Sequence, residues 1–160
     1  MKKIALLLAV FAFSFANAQA PLEEGGIQLN AGFGTSSWGT PVYVGLDFGV
    51  AENFTVGGEL SYQSYSTAGY KNNILGIQAN GNYHFNEILN IPSEWDFYAG
   101  ANLNYYSWSK DAGYTGNTDN FGLGLQVGGR YFFTENFGVN LQLGGGTVNN
   151  GGKIGITYKL

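Results

Sequence analysis

Residues 121–133 read FGLGLQVGGRYFF, and the odd-numbered positions of this stretch are apolar apart from one glycine at 129. The even-numbered positions hold three glycines, Gln126, Arg130 and Phe132. Alternation with a period of two residues is typical of a β-strand whose two faces meet different surroundings. The stretch therefore predicts a strand with one apolar face and one face of mostly small or polar side chains.

The same alternation recurs from about residue 25 to residue 160 and predicts eight strands. Their expected ranges are 27–34, 42–50, 54–63, 75–85, 95–106, 121–133, 137–146 and 153–160. Connections at 51–53, 86–94 and 134–136 alternate with others rich in Gly, Ser, Thr and Asn at 36–41, 66–73, 109–120 and 148–152. Strands of about ten residues, joined alternately by turns and longer loops, are the layout of a bacterial transmembrane barrel.

The charged residues indicate which face of the sheet points outward. No apolar strand face carries a charge, whereas the opposite face carries Asp47, Glu59, Asp96, Arg130, Lys153 and Lys159. A soluble, lipocalin-like barrel would expose this second face to water and carry many Lys and Glu there. Lipid penalises a Lys or Arg near the bilayer midplane by roughly 2–4 kcal/mol. We therefore predict an all-β fold, an eight-stranded antiparallel up-and-down transmembrane β-barrel with its apolar face toward lipid.

Aromatic residues on the apolar face concentrate near the short connections and the C-terminus. They are Phe48, Phe54, Tyr83, Phe85, Trp95, Phe97, Tyr131, Phe133, Phe137 and Tyr158. Aromatic side chains are enriched where a membrane protein crosses the interface between lipid and water. The pattern predicts an interfacial girdle at the end of the barrel that carries the short turns.

The N-terminal segment is organised as a secretory signal peptide. Two lysines precede an apolar run, Ile4–Phe15, that is too short to span a bilayer as a helix. Ala16-Asn17-Ala18 follows as a small-x-small cleavage site. We expect residues 1–18 to be removed, residues 19–160 to form the barrel domain, and no transmembrane helix to follow.

The C-terminal run Ile154-Gly155-Ile156-Thr157-Tyr158-Lys159-Leu160 resembles the insertion signal of small OmpX/OmpA-type outer-membrane barrels, the group also described as porin-family outer-membrane barrels. The chain departs from that pattern by ending in Leu160 rather than the commoner Phe. The resemblance covers the alternating region from residue 25 onward. It implies the outer membrane of a Gram-negative bacterium, contact with outer-membrane lipids, and recognition of the C-terminal strand by the barrel-insertion machinery.

Residues able to carry chemistry are sparse. The chain has no cysteine, a single histidine, His84, and a net charge of −4 that gives no basic footprint for nucleic acid. His84 is expected inside the barrel near the short link that starts at Asn86, which argues against a lipid-modifying enzyme. Oxygen ligands for calcium occur at Asp111, Asn117 and Asp119, but their spacing matches no EF-hand loop. We expect no enzyme activity, no metal and no cofactor.

Asp47, Glu59 and Arg130 are all inward and are expected to share one layer of the lower lumen. Because a buried Arg needs carboxylate partners, this lumen charge cluster predicts either a salt-bridged plug that holds the barrel, or a gate or proton-linked constriction. The leading hypothesis is a monomeric structural or surface-interaction protein that displays four short extracellular loops on a filled barrel. The alternatives are a narrow channel for ions or very small solutes, a lipid-modifying enzyme and a soluble ligand binder.

Overall fold

Eight antiparallel strands form a closed barrel in which each strand pairs with the next and β1 also pairs with β8. This structure is a computed structural model that describes residues 21–67, 70–109 and 120–160, with the backbone alone at 65–67, 70 and 71. The strands are β1 (Ile27–Ser36), β2 (Val42–Ala51), β3 (Phe54–Thr67), β4 (Tyr70–His84), β5 (Trp95–Ser109), β6 (Asn120–Phe132), β7 (Phe137–Gly146) and β8 (Asn150–Lys159). The predicted eight-stranded up-and-down barrel is confirmed. Among the described residues, no helix is long and apolar enough to cross a membrane.

The strands extend further toward the loop end than the alternation predicted. β3 and β4 remain paired as far as Thr67 and Tyr70, so most of the connection expected at 66–73 is strand. β5 likewise continues to Ser109, and β8 begins at Asn150. Ser64 and its partner Asn73 are polar where the alternation would require apolar residues. The sequence pattern therefore ends here, although the backbone pairing continues. The expected signal peptide and the interior of the third loop, residues 110–119, lie outside the described residues.

The barrel is apolar outside and polar inside, the reverse of a water-soluble protein. The neighbours Leu125 and Gln126 show this on β6, because Leu125 is 71% exposed and Gln126 is 3% exposed. Every charged strand residue with a described side chain faces the lumen, in agreement with the assignment from sequence. The outer surface of the strands is therefore apolar, and the core consists mainly of polar side chains together with a few apolar ones such as Phe132 and Ile74.

Rings that were expected to form a girdle at the turn end contact one another around the outer surface. The ring centroids of Trp95 and Tyr131 lie 4.7 Å apart. The Trp95 ring is also stacked on that of Phe97. Phe54 meets Tyr83 edge to face at 5.0 Å. The contacts of Trp95 with Tyr131 and of Phe54 with Tyr83 link rings of neighbouring strands, so the outer surface of the turn end carries clusters of aromatic side chains.

A pair of adjacent positions on β5 tests the assignment of the two faces. Leu103 faces outward and Asn104 lines an open part of the lumen. We expect Leu103→Arg to cost roughly 2–4 kcal/mol of folding free energy in lipid, and Asn104→Arg to cost much less because its guanidinium reaches water. Urea titration of the folded fraction in lipid vesicles measures both. Equal losses from the two substitutions would contradict the assignment.

Candidate functional site

The lower lumen is organised around the buried guanidinium of Arg130, which is 3% exposed. One terminal nitrogen donates to Asp47 Oδ2 on β2 at 2.6 Å, and the other donates to Asp96 Oδ2 on β5 at 2.9 Å. The Tyr98 ring centroid lies 4.5 Å from the guanidinium carbon. Because a buried charge without partners is strongly destabilising, these contacts hold β2, β5 and β6 together across the barrel.

Asp96 extends this network to the only histidine of the chain. Its Oδ1 lies 2.6 Å from His84 Nδ1, and His84 Nε2 lies 3.0 Å from Thr55 Oγ1. A carboxylate only accepts hydrogen bonds, so we assign a proton to His84 Nδ1. In the neutral tautomer the Thr55 hydroxyl then donates to Nε2. The structure thus places His84 on the polar inner side near the turn end, where the sequence predicted it.

The order Thr55, His84, Asp96 follows the nucleophile, base and orienting acid of hydrolytic triads. Two features oppose catalysis. Thr55 and His84 are each 1% exposed, so a substrate cannot reach the hydroxyl in this conformation. Asp96 also accepts a hydrogen bond from Arg130. In this environment the three side chains act as a cross-link among β3, β4 and β5.

Glu59 does not join Arg130, contrary to the expectation from sequence. It accepts a hydrogen bond of 2.5 Å from Lys153 Nζ on β8, and these side chains are 12% and 20% exposed. The reason is register: Asp47 lies opposite Gly57, and Glu59 is one inward position further along β3, about 7 Å closer to the loop end. The charge cluster predicted as one layer is therefore two separate ion-pair layers.

Asp96 is the partner of Arg130 that the sequence argument missed. The two residues lie directly opposite each other in the β5–β6 pairing. Their alignment depends on the register across the connection between β5 and β6. The sequence placed both residues on the polar face. It did not show that they lie opposite each other and form an ion pair.

Amide side chains fill the space between the two charged layers. Gln126 is the hub, because its Nε2 donates to Asn82 at 2.6 Å and its Oε1 accepts from Asn102 Nδ2 at 2.8 Å. Gln142 Nε2 also donates to Gln126 Oε1, at 3.3 Å. Gln142 Oε1 in turn accepts a hydrogen bond from the Tyr98 hydroxyl at 2.9 Å. This neutral belt satisfies polar groups in the middle of the barrel without introducing further charge.

The turn end of the lumen is covered by residues 21–26, which precede β1. Leu22 is buried, and Gly25 N donates to Gly49 O on β2 at 2.8 Å. A side chain at Gly49 would collide with the backbone of Glu23, so glycine is required for this close approach. Near the same end of the lumen, Lys159 Nζ lies 4.2 Å from the centroid of the fully buried Phe132 ring.

The described residues enclose a larger and a smaller cavity inside the barrel. The cavity that we call the vestibule is about 70 Å³, and residues of the loop end of the barrel line it. A smaller cavity of about 20 Å³ lies beside Arg130 and Asp47. Glu59 and Lys153 line both cavities. Water-sized spaces thus extend from the loop end down to the Arg130 layer.

The remaining sequence hypotheses have different outcomes. The calcium ligands considered at Asp111, Asn117 and Asp119 lie outside the described residues. In the part of the chain that the structure describes, no group of three or more His, Asp or Glu residues is arranged to hold a metal ion. Gly128 of β6 makes room for a lumen side chain, because a Cβ at this position would collide with the Tyr98 ring.

Several solved structures similar to this chain are outer-membrane proteins. The N-terminal β-barrel domain of OprF from Pseudomonas aeruginosa is 16% identical, with 86% of this chain and 98% of that chain covered and a TM-score of 0.63. OprG from the same organism is 12% identical, with 87% and 97% covered and a TM-score of 0.66. The chain has the fold of the small outer-membrane β-barrels.

A third structure with this outer-membrane barrel fold is Ail, the attachment invasion locus protein of Yersinia pestis. It is 13% identical, with 86% of this chain and 99% of that chain covered and a TM-score of 0.55. No protein-family model and no curated protein sequence matches the chain. The structural similarity to OprF, OprG and Ail confirms the resemblance to OmpX/OmpA-type barrels at the level of the fold.

The two ion-pair layers should differ in their contribution to stability. We expect Arg130→Ala to lower the free energy of unfolding by about 3–5 kcal/mol, because two buried carboxylates lose their partner. Lys153→Ala should cost roughly 1–2 kcal/mol, because Glu59 keeps contact with water in the vestibule. Urea unfolding in lipid vesicles, followed by tryptophan fluorescence, measures both. Similar losses for the two variants would show that Arg130 is not the central contact.

Proposed function

We propose that this protein is an integral outer-membrane barrel that presents its loop end at the cell surface and uses its filled lumen as a structural core. The observation that carries the proposal is the reversed polarity of the barrel, with large apolar side chains outside and Asp47, Asp96 and Arg130 buried inside. A surface of this kind is stable only in contact with lipid or detergent. The fold shared with OprF, OprG and Ail supports the outer membrane as the location.

A surface-interaction role is the function that best fits a barrel of this kind. Eight strands enclose an interior that side chains can just fill, and here Arg130 and its partners occupy the lower lumen. The parts that remain available to other molecules are the loops and the vestibule. One structure with the same fold is named as an attachment invasion locus protein, which supports surface contact as the role.

Assembly and partners follow from the same proposal. Outer-membrane lipids cover the apolar face, and the barrel-insertion machinery recognises β8, which closes the barrel against β1. We propose a monomer, because closure leaves no unpaired strand edge through which a second copy could extend the sheet. Removal of residues 1–18 belongs to this proposal.

A narrow channel is the second candidate function, and the two cavities favour it. They share Tyr43, Glu59, Gln142 and Lys153 in their linings, so the two cavities adjoin each other between the loop end and Arg130. Below that level, Arg130, Phe132 and the segment at 21–26 obstruct the lumen. The channel hypothesis therefore requires the lower network to open.

The orientation of the barrel can be tested by labelling single cysteines, since the chain has none of its own. Ser37 and Glu135 are exposed at the loop end and the turn end, respectively. On intact cells, a membrane-impermeant maleimide should label Ser37→Cys and leave Glu135→Cys unlabelled. Both should react after the cells are broken. If only Glu135→Cys were labelled on intact cells, the barrel would have the opposite orientation. Recovery of the protein in the soluble fraction would contradict the membrane location.

Transport assays distinguish the filled lumen from a channel. Reconstituted protein should pass no sugars in liposome swelling and should show at most small, infrequent conductance steps, because barrels with open aqueous lumens have about sixteen strands. Arg130→Ala should raise conductance if the Arg130 layer is the obstruction, whereas Lys153→Ala should change it less. Rapid sugar uptake by the unmodified protein would contradict the proposal.

A further inference from the structure

Uncharged hydrogen-bonding side chains from four strands line one side of the vestibule. They are Gln63, Gln78, Asn102, Asn104, Tyr106 and Gln142. An apolar occupant would remove water from these groups without replacing its hydrogen bonds, at a cost of about 1–3 kcal/mol for each group left unsatisfied. The lining therefore favours an occupant that can both donate and accept hydrogen bonds.

Glycines of β6, β7 and β8 form another part of the vestibule wall. Those at inward-facing positions are Gly122, Gly124, Gly144, Gly146 and Gly151. A Cβ at Gly124 would collide with the Asn102 amide oxygen, and one at Gly122 would collide with Val148. Glycine at Gly122 and Gly124 therefore leaves room for these neighbouring side chains at the vestibule wall.

Two charged residues of the vestibule lining neutralise each other. Lys153 Nζ donates to Glu59 at 2.5 Å and lies 5.4 Å from the Tyr43 ring centroid. A charged ligand would give up its hydration without finding a free charge of opposite sign in this pair, which is costly. The vestibule therefore favours a neutral ligand over an ionic one.

An aromatic ring stands beside the amides. Tyr106 lines the vestibule, and Trp38 of the β1–β2 loop packs edge to face against it with 5.0 Å between ring centroids. Polyols and sugars combine apolar C–H faces with polar hydroxyl edges. A ring next to amide groups matches both parts of such a molecule.

We propose that the vestibule binds a small neutral polyhydroxylated molecule, a polyol or a single sugar residue, which enters from the loop end. The cavity has a volume of about 70 Å³, which leaves room for about five water molecules. A small polyol or part of one sugar residue takes the place of these waters. The inference goes beyond the proposed surface role and rests on the lumen geometry alone, so it holds whichever way the barrel is oriented.

The test uses the full barrel, folded in a detergent that has no sugar headgroup, with glycerol and D-glucose as probes. Two-dimensional amide NMR follows the side-chain NH₂ signals of Asn102, Asn104 and Gln78 and the indole signal of Trp38. We expect saturable shifts for at least one probe at these residues and none for Asn53, an amide at the turn end. Shifts that grow linearly without saturation, or that affect Asn53 equally, would overturn the proposal.

A pair of variants separates specific binding from solvent effects. Asn104→Leu removes a vestibule amide and adds bulk, and should weaken binding at least about tenfold. Asn53→Leu, the same substitution outside the vestibule, should leave the affinity unchanged. Ser61→Val, on the vestibule wall of β3, provides the same readout if Asn104→Leu does not fold. Affinity that is unchanged in the folded vestibule variants would overturn the proposal, while failure of the labelling or swelling experiments would bear only on the proposed function.

Discussion

A β-sheet surrounded by hydrocarbon has no water to satisfy the polar groups of its edge strands, so it must close on itself. In this chain the closure is the pairing of β1 with β8, which runs from Gln28 opposite Lys159 to Ser36 opposite Gly151. Leu160 N adds a hydrogen bond to Ile27 O beyond the end of the ladder. With no edge left unpaired, the number of strands sets the width of the interior, and the other features of the lumen follow from that width.

A lumen only eight strands wide cannot hold a free column of water and also a solvated guanidinium. Arg130 is therefore desolvated, and the barrel compensates with Asp47, Asp96 and the Tyr98 ring. Breaking such a buried pair is costly, although an apolar replacement of the whole group is often neutral or stabilising. The buried charges also disfavour other strand registers, since a slip of register by one residue would turn them toward lipid.

The low identity to structures with the same fold has a physical origin. OprF and OprG match this chain over most of its length at 16% and 12% identity. Any apolar residue is compatible with lipid at the outward positions of a strand. At the inward positions, many combinations of glycines, amides and paired charges can fill the lumen. The fold therefore constrains a pattern rather than particular residues, and the functional differences among such barrels fall on the lumen contents and the loops.

By itself, the sequence determined the fold and the facing of each strand, because period-two alternation and the exclusion of charge from lipid are local properties. It also determined that Arg130, Asp47 and His84 face inward. It did not determine their partners. The ion pairs Arg130–Asp96 and Lys153–Glu59, the contact of His84 with Thr55, and the cover formed by residues 21–26 were decided by the tertiary structure. The physical reason is that a side chain's height in the lumen depends on the register between strands, and that register is fixed only when all eight strands close into one barrel.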